Sequence, residues 1–181
     1  MLTLHAPAVG EAVVVEGAVV AAIGAYEELA AAYPAARVRR WPGALRPGLV
    51  NPYGPELLER AYHPDPREAD ELGTSPILDP DFPLDEARRG GSARRGVQRL
   101  LARGVLAVAG ELRSRSVVEA VRRSGLAVLP PSEPAPSGVP SLDAGSPLPP
   151  LRVGGPARFA VFDGGMCVVA VLDGRLVYRA R

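Results

Sequence analysis

Pro47-Gly48-Leu49-Val50-Asn51-Pro52-Tyr53-Gly54-Pro55 sets one apolar pair between two groups of chain breakers. Leu49-Val50 follows a Pro-Gly turn and reads as a short buried strand. Asn51-Pro52 and Gly54-Pro55 then stop it, because proline lacks the backbone donor that a ladder needs and fixes φ. The strand therefore runs out into a rigid loop.

Upstream of this stretch the chain reads mainly as strands. Leu2 to His5 alternates, and Val13-Val14-Val15, Glu16-Gly17 and Val19 to Ile23 form a hairpin pattern with β-branched arms around a glycine-containing turn. Tyr26 to Tyr33 is rich in helix formers and stops at Pro34, as the restriction on the residue before proline requires. Ala36 to Trp41 is strand-like, and Pro42-Gly43 is expected to turn the chain. The C-terminal end repeats the design: Phe159 to Phe162 is a strand, and Cys167 to Leu172, Asp173-Gly174 and Arg175 to Tyr178 form a second hairpin.

The order Val-x-Gly-x-x-Val-Ala-Ala-Ile-Gly, Tyr-x-Glu-Leu, Tyr-Pro-x-Ala-x-Val, Pro-Gly, Pro-Gly-Leu-Val-Asn over Val13 to Asn51 resembles the N-terminal part of the amidohydrolase superfamily. It is most similar to the imidazolonepropionase and aminodeoxyfutalosine deaminase branch. Gly155 to Asp163 and Val169 to Val177 resemble the end of the same proteins, with Arg158 where an acidic residue is usual. The resemblance implies a composite β-sandwich built jointly by N- and C-terminal strands, with a (β/α)8 barrel inserted between them. It also implies a histidine pair after the Leu-Val-Asn strand, binding the catalytic metal. At those two positions this chain has Tyr53 and Pro55.

A whole barrel takes about 250 residues, more than lie between Pro52 and Gly154. A first portion is legible. Ser92 to Arg103 carries Val97, Leu100 and Leu101 at helical spacing, with Ser92 read as N-cap; Val105 to Val108 is a buried strand; Ser116 to Arg123 is a helix closed by Ser124-Gly125; and Leu126 to Leu129 is a strand. With Leu49-Val50 these give a right-handed βαβαβ order. Gly54 to Gly91 is expected to be a long surface loop with a brief helix at Glu56 to Tyr62, and Pro130 to Pro150 a Pro/Ser/Gly-rich linker.

Composition narrows the chemistry. The 181 residues are 47% hydrophobic and 23% charged, with a net charge of +1, so no global field favours nucleic acid or an anionic membrane. Every basic residue is arginine, which removes lysine Schiff bases and a carboxylated-lysine metal bridge. The one cysteine, Cys167, sits in a valine-rich run and reads as a small buried apolar residue. No window has the roughly 20 apolar residues a membrane helix needs, and Met1 to Val9 lacks the basic start of a secretory signal, so a cytoplasmic location is expected.

The candidate sites are few. His63 with Asp65 and Glu56 is the densest group of possible acid-base residues or ligands, against the reading of a solvated acidic loop. Arg94 and Arg95 beside Ser92 could hold an anion through guanidinium forks, while a capped helix with an arginine-bearing solvent face explains the same residues. Tyr53 could hydrogen-bond a ligand or fill the space of a lost metal ligand. His5 reads as a surface or half-buried residue.

The expected architecture is α+β. A composite β-sandwich spans 1–46 and 151–181, a truncated βαβαβ segment of a TIM-type barrel spans 47–129, and a linker spans 130–150. The expected function is that of a non-catalytic imidazolonepropionase-like protein with a binding, scaffolding or regulatory role. The alternative is a hydrolase of non-peptide carbon-nitrogen bonds with a rebuilt site. No metal and no cofactor are expected. A truncated sheet exposes edges, so a homo-oligomer or a protein partner is expected, with a small-molecule ligand as a further option.

Overall fold

A computed structural model describes residues Met1–Ala180; Arg181, the last residue of the expected C-terminal segment, lies outside the described residues. The chain forms two compact units, Met1–Leu49 with Pro147–Arg181, and Val50–Ser146.

In the first unit, β1 (Leu2–Val9), β2 (Ala12–Glu16), β3 (Val19–Gly24) and β4 (Arg37–Pro47) come from the N-terminal part, with α1 (Tyr26–Ala32) between β3 and β4. β9 (Phe159–Asp163), β10 (Met166–Leu172) and β11 (Arg175–Arg179) come from the C-terminal part. Where a two-layered sandwich is the sequence expectation, all seven strands are hydrogen-bonded into one sheet, in the order β11-β10-β9-β4-β1-β2-β3. The valine run of β2 explains how that sheet is covered. Successive side chains point to opposite faces. Val13 and Val15 pack in a core with Val20, Trp41, Phe159, Val161, Val169 and Val171, while Ala12 and Val14 pack with Leu4 and Leu29 of α1. Both halves of the sheet share the first core, so the sheet curls on itself.

Pro42-Gly43 does not end the strand, contrary to the sequence expectation. β4 runs through it, pairing parallel to β1 as far as Ala44 and antiparallel to β9 from Ala44 to Pro47. Gly43 has φ +75°, and a Cβ there would stand 2.0 Å from the Phe162 carbonyl oxygen. Only glycine allows the backbone of β9 to approach so closely at the handover. In the second hairpin, Asp173 and Gly174 both have positive φ, 47° and 74°, which is the twist a two-residue turn needs.

The second unit holds α2 (Ala69–Leu72), α3 (Glu86–Leu101), β6 (Val105–Ala109), α4 (Arg115–Ser124) and β7 (Ala127–Leu129). A four-stranded sheet runs β7-β6-β5-β8, where β5 is Leu49–Asn51 and β8 is Ser146–Pro147. β6 and β7 are parallel, and all five residues of β6 are buried, as expected of a strand covered on both faces.

Two sequence expectations are corrected here. The cap of the helix lies seven residues earlier than the expected Ser92. Asp85 caps it by accepting from the Arg88 N–H, and Ser92 lies inside α3, buried. Gly90 and Gly91 do not break the helix: a Cβ on Gly90 would stand 3.1 Å from Ser116 Cβ, so the glycine lets α4 come close. Nor is the start of 54–91 a surface loop. A π-helical turn, Glu56–Arg60, buries Leu57 and Leu58, and Ala61, Tyr62 and His63 follow it into the core. Pro130 to Pro150 has little regular structure but is anchored, with Leu142 buried and Asp143 ion-paired to Arg103.

Candidate functional site

The loop after β5 is held at every polar position. Asn51 is fully buried; its Nδ2 donates to the Ser141 carbonyl at 2.9 Å and its Oδ1 accepts from the Tyr53 N–H at 2.9 Å. That short side-chain-to-backbone bond shapes the turn. Tyr53 is buried, and its hydroxyl donates to the Ser137 carbonyl at 2.8 Å. Gly54 is pressed against the end of β6, where a Cβ would meet the Ala109 carbonyl oxygen at 2.7 Å. The Pro55 ring lies over Gly110, occupying the place a Cβ would take there at 2.4 Å. The two positions that the resemblance associates with metal ligands are therefore a packed tyrosine and a packed proline.

Two clefts border this loop. One of about 320 Å³ is lined by Tyr53, Glu56, Arg60 and Asp79; another of about 400 Å³ is lined by Pro55, Glu56, Glu59, Glu111 and Arg113. Glu59 is committed: its Oε1 accepts from the Arg113 and Ser114 N–H groups, both at 2.6 Å, at the start of α4. A carboxylate suits that place because the first amides of a helix lack partners within it.

His63 is wholly buried rather than part of a solvated loop. Its Nε2 lies 2.7 Å from the Leu57 carbonyl and so carries the hydrogen, which leaves Nδ1 bare and without a partner. Burial pulls its pKa down to about 4; the Leu57 bond opposes the shift, and Arg99 and Arg95 add to it. The ring is neutral near pH 7. Gly96 makes room for it, since a Cβ would stand 2.6 Å from Nε2.

The structure joins residues that the sequence presents as two separate candidates. The His63 N–H donates to Ser92 Oγ at 2.9 Å, and that hydroxyl donates on to the Ala61 carbonyl. Arg95 donates through Nε to the His63 carbonyl at 2.7 Å and pairs with Asp65 at 3.3 Å. Asp65 also accepts from the Arg67 N–H, capping a short turn. Next to it, Glu68 accepts from the Tyr62 hydroxyl and from Arg88, and these bonds, Tyr62's first, hold its carboxyl below the usual range. Arg94 is exposed and outside this network. Glu56 makes no hydrogen bond or ion pair with His63 or Asp65, so the three are not assembled as an acid-base group. Among the described residues, no group of three or more His, Cys, Asp or Glu side chains could hold a metal ion.

The other histidine and the cysteine are also interior. His5 is buried rather than half-exposed, with Nδ1 accepting from Trp41 Nε1 at 3.1 Å and its ring edge-on to Phe159. Burial, then Arg39, pulls its pKa to about 4. Cys167 is buried, and burial pushes its thiol up to about 11, so it is not a thiolate near neutral pH. Sequence reading missed Glu59 as an anchor of α4. Nothing local marks it, because its partners are backbone amides far along the chain.

No known family profile matches the chain, and no curated protein matches it. Among solved structures, the chain is similar to A. niger ochratoxinase, with 16% identity and a TM-score of 0.48 over 71% of this chain and 31% of that one. It is similar to Helicobacter pylori aminofutalosine deaminase, with 14% identity and a TM-score of 0.45 over 72% and 33%. It is also similar to guanine deaminase from Bradyrhizobium japonicum, with 21% identity and a TM-score of 0.40 over 66% and 27%. The chain spans about a third or less of the length of these structures. No helix among the described residues is long and apolar enough to cross a membrane.

Proposed function

We propose that this chain is an imidazolonepropionase-like member of the amidohydrolase superfamily that acts by binding, scaffolding or regulation rather than by catalysis. In this reading the curled sheet is the composite domain of those proteins, and β5, α3, β6, α4 and β7 are the opening portion of their barrel. The observation that carries the non-catalytic part is the state of Tyr53 and Pro55. Both stand where the sequence resemblance calls for metal-binding histidines, and both are committed to packing, one through Ser137 and the other over Gly110. The sequence resemblance over Val13 to Asn51 and Gly155 to Val177 supports the family part. A cytoplasmic location belongs to the same proposal.

Metal analysis of the purified full chain, together with assays on amide, amidine and aminopurine substrates, tests this reading. The expected result is metal far below stoichiometric and no turnover above background. About one equivalent of zinc, iron or manganese together with hydrolysis of a carbon-nitrogen bond would overturn it.

A further inference from the structure

A cleft of about 810 Å³ lies along β7 and α4, lined largely by apolar side chains that include Val118, Val121, Val128 and Leu129. Val118 and Val128 are 42% and 46% exposed, although each sits in a regular element of the second unit. β7 is the last strand of its sheet, paired only to β6 among the described residues, so one row of its backbone donors and acceptors is open. Its residues Ala127, Val128 and Leu129 carry no charge to discourage pairing. Pro130 and Pro131 follow directly and lack N–H groups, so any added ladder is confined to the length of β7.

Two charged residues line this cleft, Glu111 and Arg122, and they lie at opposite ends of β7. Ala109 is opposite Leu129 in the parallel register, so Glu111 lies beyond the C-terminal end of β7. Arg122 is in the last turn of α4, which leads through Gly125 to the N-terminal end of β7. Both side chains are about 70% exposed, and each has a partner close by in sequence: Arg113, 81% exposed, for Glu111 and Glu119, 38% exposed, for Arg122. Glu119 is shared by Arg122 and Arg123, so the N-terminal end keeps a surplus positive charge.

We propose that this groove is occupied by a second copy of the chain, β7 pairing antiparallel to β7 about a two-fold axis. That arrangement sets Glu111 of each copy beside Arg122 of the other, twice, and buries Val118 and Val128 of both. A parallel pairing would set Glu111 on Glu111 and Arg122 on Arg122, which selects the antiparallel one. The same patch serves both partners, as a two-fold contact requires. The inference rests on β7, α4 and Glu111 and stands or falls independently of the amidohydrolase reading.

Light scattering and sedimentation of the full chain across a concentration range test it, with circular dichroism and melting as checks of folding. A concentration-dependent dimer is expected. Val128→Glu, at an exposed position, makes the chain monomeric with an unchanged spectrum and melting point. Glu111→Arg and Arg122→Glu each weaken the dimer by about tenfold at low salt. Mixing those two variants restores the wild-type affinity, because the reversed charges then face opposite signs. A wild-type chain that stays monomeric at about 1 mM, near the weak end of specific association, overturns the proposal and leaves the groove to another occupant. So does a dimer that survives Val128→Glu, or a mixture that fails to restore affinity.

Discussion

The two units treat the edges of their sheets differently. In the first, the β3 edge is taken by the chain's own segment before β9: Val20 bonds both Gly154 and Gly155, and the Ala157 N–H donates to the Ala18 carbonyl at 2.8 Å. The opposite edge strand, β11, carries Arg175 and Arg179, which discourage pairing. In the second, β7 has no strand beyond it among the described residues and carries no charge. A sheet that curls can use its own connections as edge partners. The second sheet has the short β8 of the proline-rich stretch beside β5, but among the described residues no strand lies beyond β7.

The sharpest way to break this comparison is to open the curl of the first unit alone. Gly43→Ala sets a Cβ against the Phe162 carbonyl and requires a positive φ of an L-residue, which should cost about 4 kcal/mol. The chain has one tryptophan, Trp41, buried in that core. Its fluorescence should therefore report loss of the first unit at a lower denaturant concentration than helical circular dichroism reports loss of the second. Coincident transitions shifted together would contradict the separate treatment of the two units.

A smaller effect follows from pH, because each unit buries one histidine. The pKa of both His5 and His63 is lowered from 6.5 to about 4. Above pH 6.5 both are neutral in the folded and the unfolded chain, and neither opposes folding. As pH falls below 6.5 the unfolded chain takes up protons that the folded chain accepts only near pH 4. Stability is therefore lost through that window, by about 3 kcal/mol per histidine. Trp41, which donates to His5, should follow the first unit in an acid titration. A flat stability between pH 6.5 and 4 would contradict the burial of both rings.

The smallest expected change is at Tyr53. Tyr53→Phe removes the bond to Ser137 and leaves the ring in place, so it should cost about 1 kcal/mol in the second unit. Hydrogen exchange around Ser137 would read it. A much larger loss would mean that the hydroxyl orders the whole proline-rich stretch.

The strands and hairpins were legible because their signals are local. The β-branched arms of β2 and β3 and the Asp173-Gly174 turn stand in sequence as they stand in space. What stayed hidden depends on distant partners. Gly43 reads as a turn until Phe162 lies against it, and the expected cap at Ser92 hides that α3 already runs through Gly90, where Ser116 lies close. Leu57 and Leu58 sit on a π-helical turn, whose period matches neither template, and Tyr62 and His63 follow it in irregular backbone. Of the candidate site, Tyr53 and Pro55 were legible as substitutions in a motif. That Ser92, Arg95, Asp65 and His63 belong to one network was not, because the bonds that join them run largely through backbone atoms.

The double pairing of β4 also bears on how the chain acquires its structure. Its first half can settle on β1 once Arg37 to Ala44 are made, but Leu45 to Pro47 face Phe159 to Val161, which are synthesised only after the whole of the second unit. On the ribosome, β4 is therefore an open edge while α3, β6 and α4 take shape from nearby sequence. Local contacts form quickly and distant strand pairing slowly, so the first unit to begin is the last to be finished.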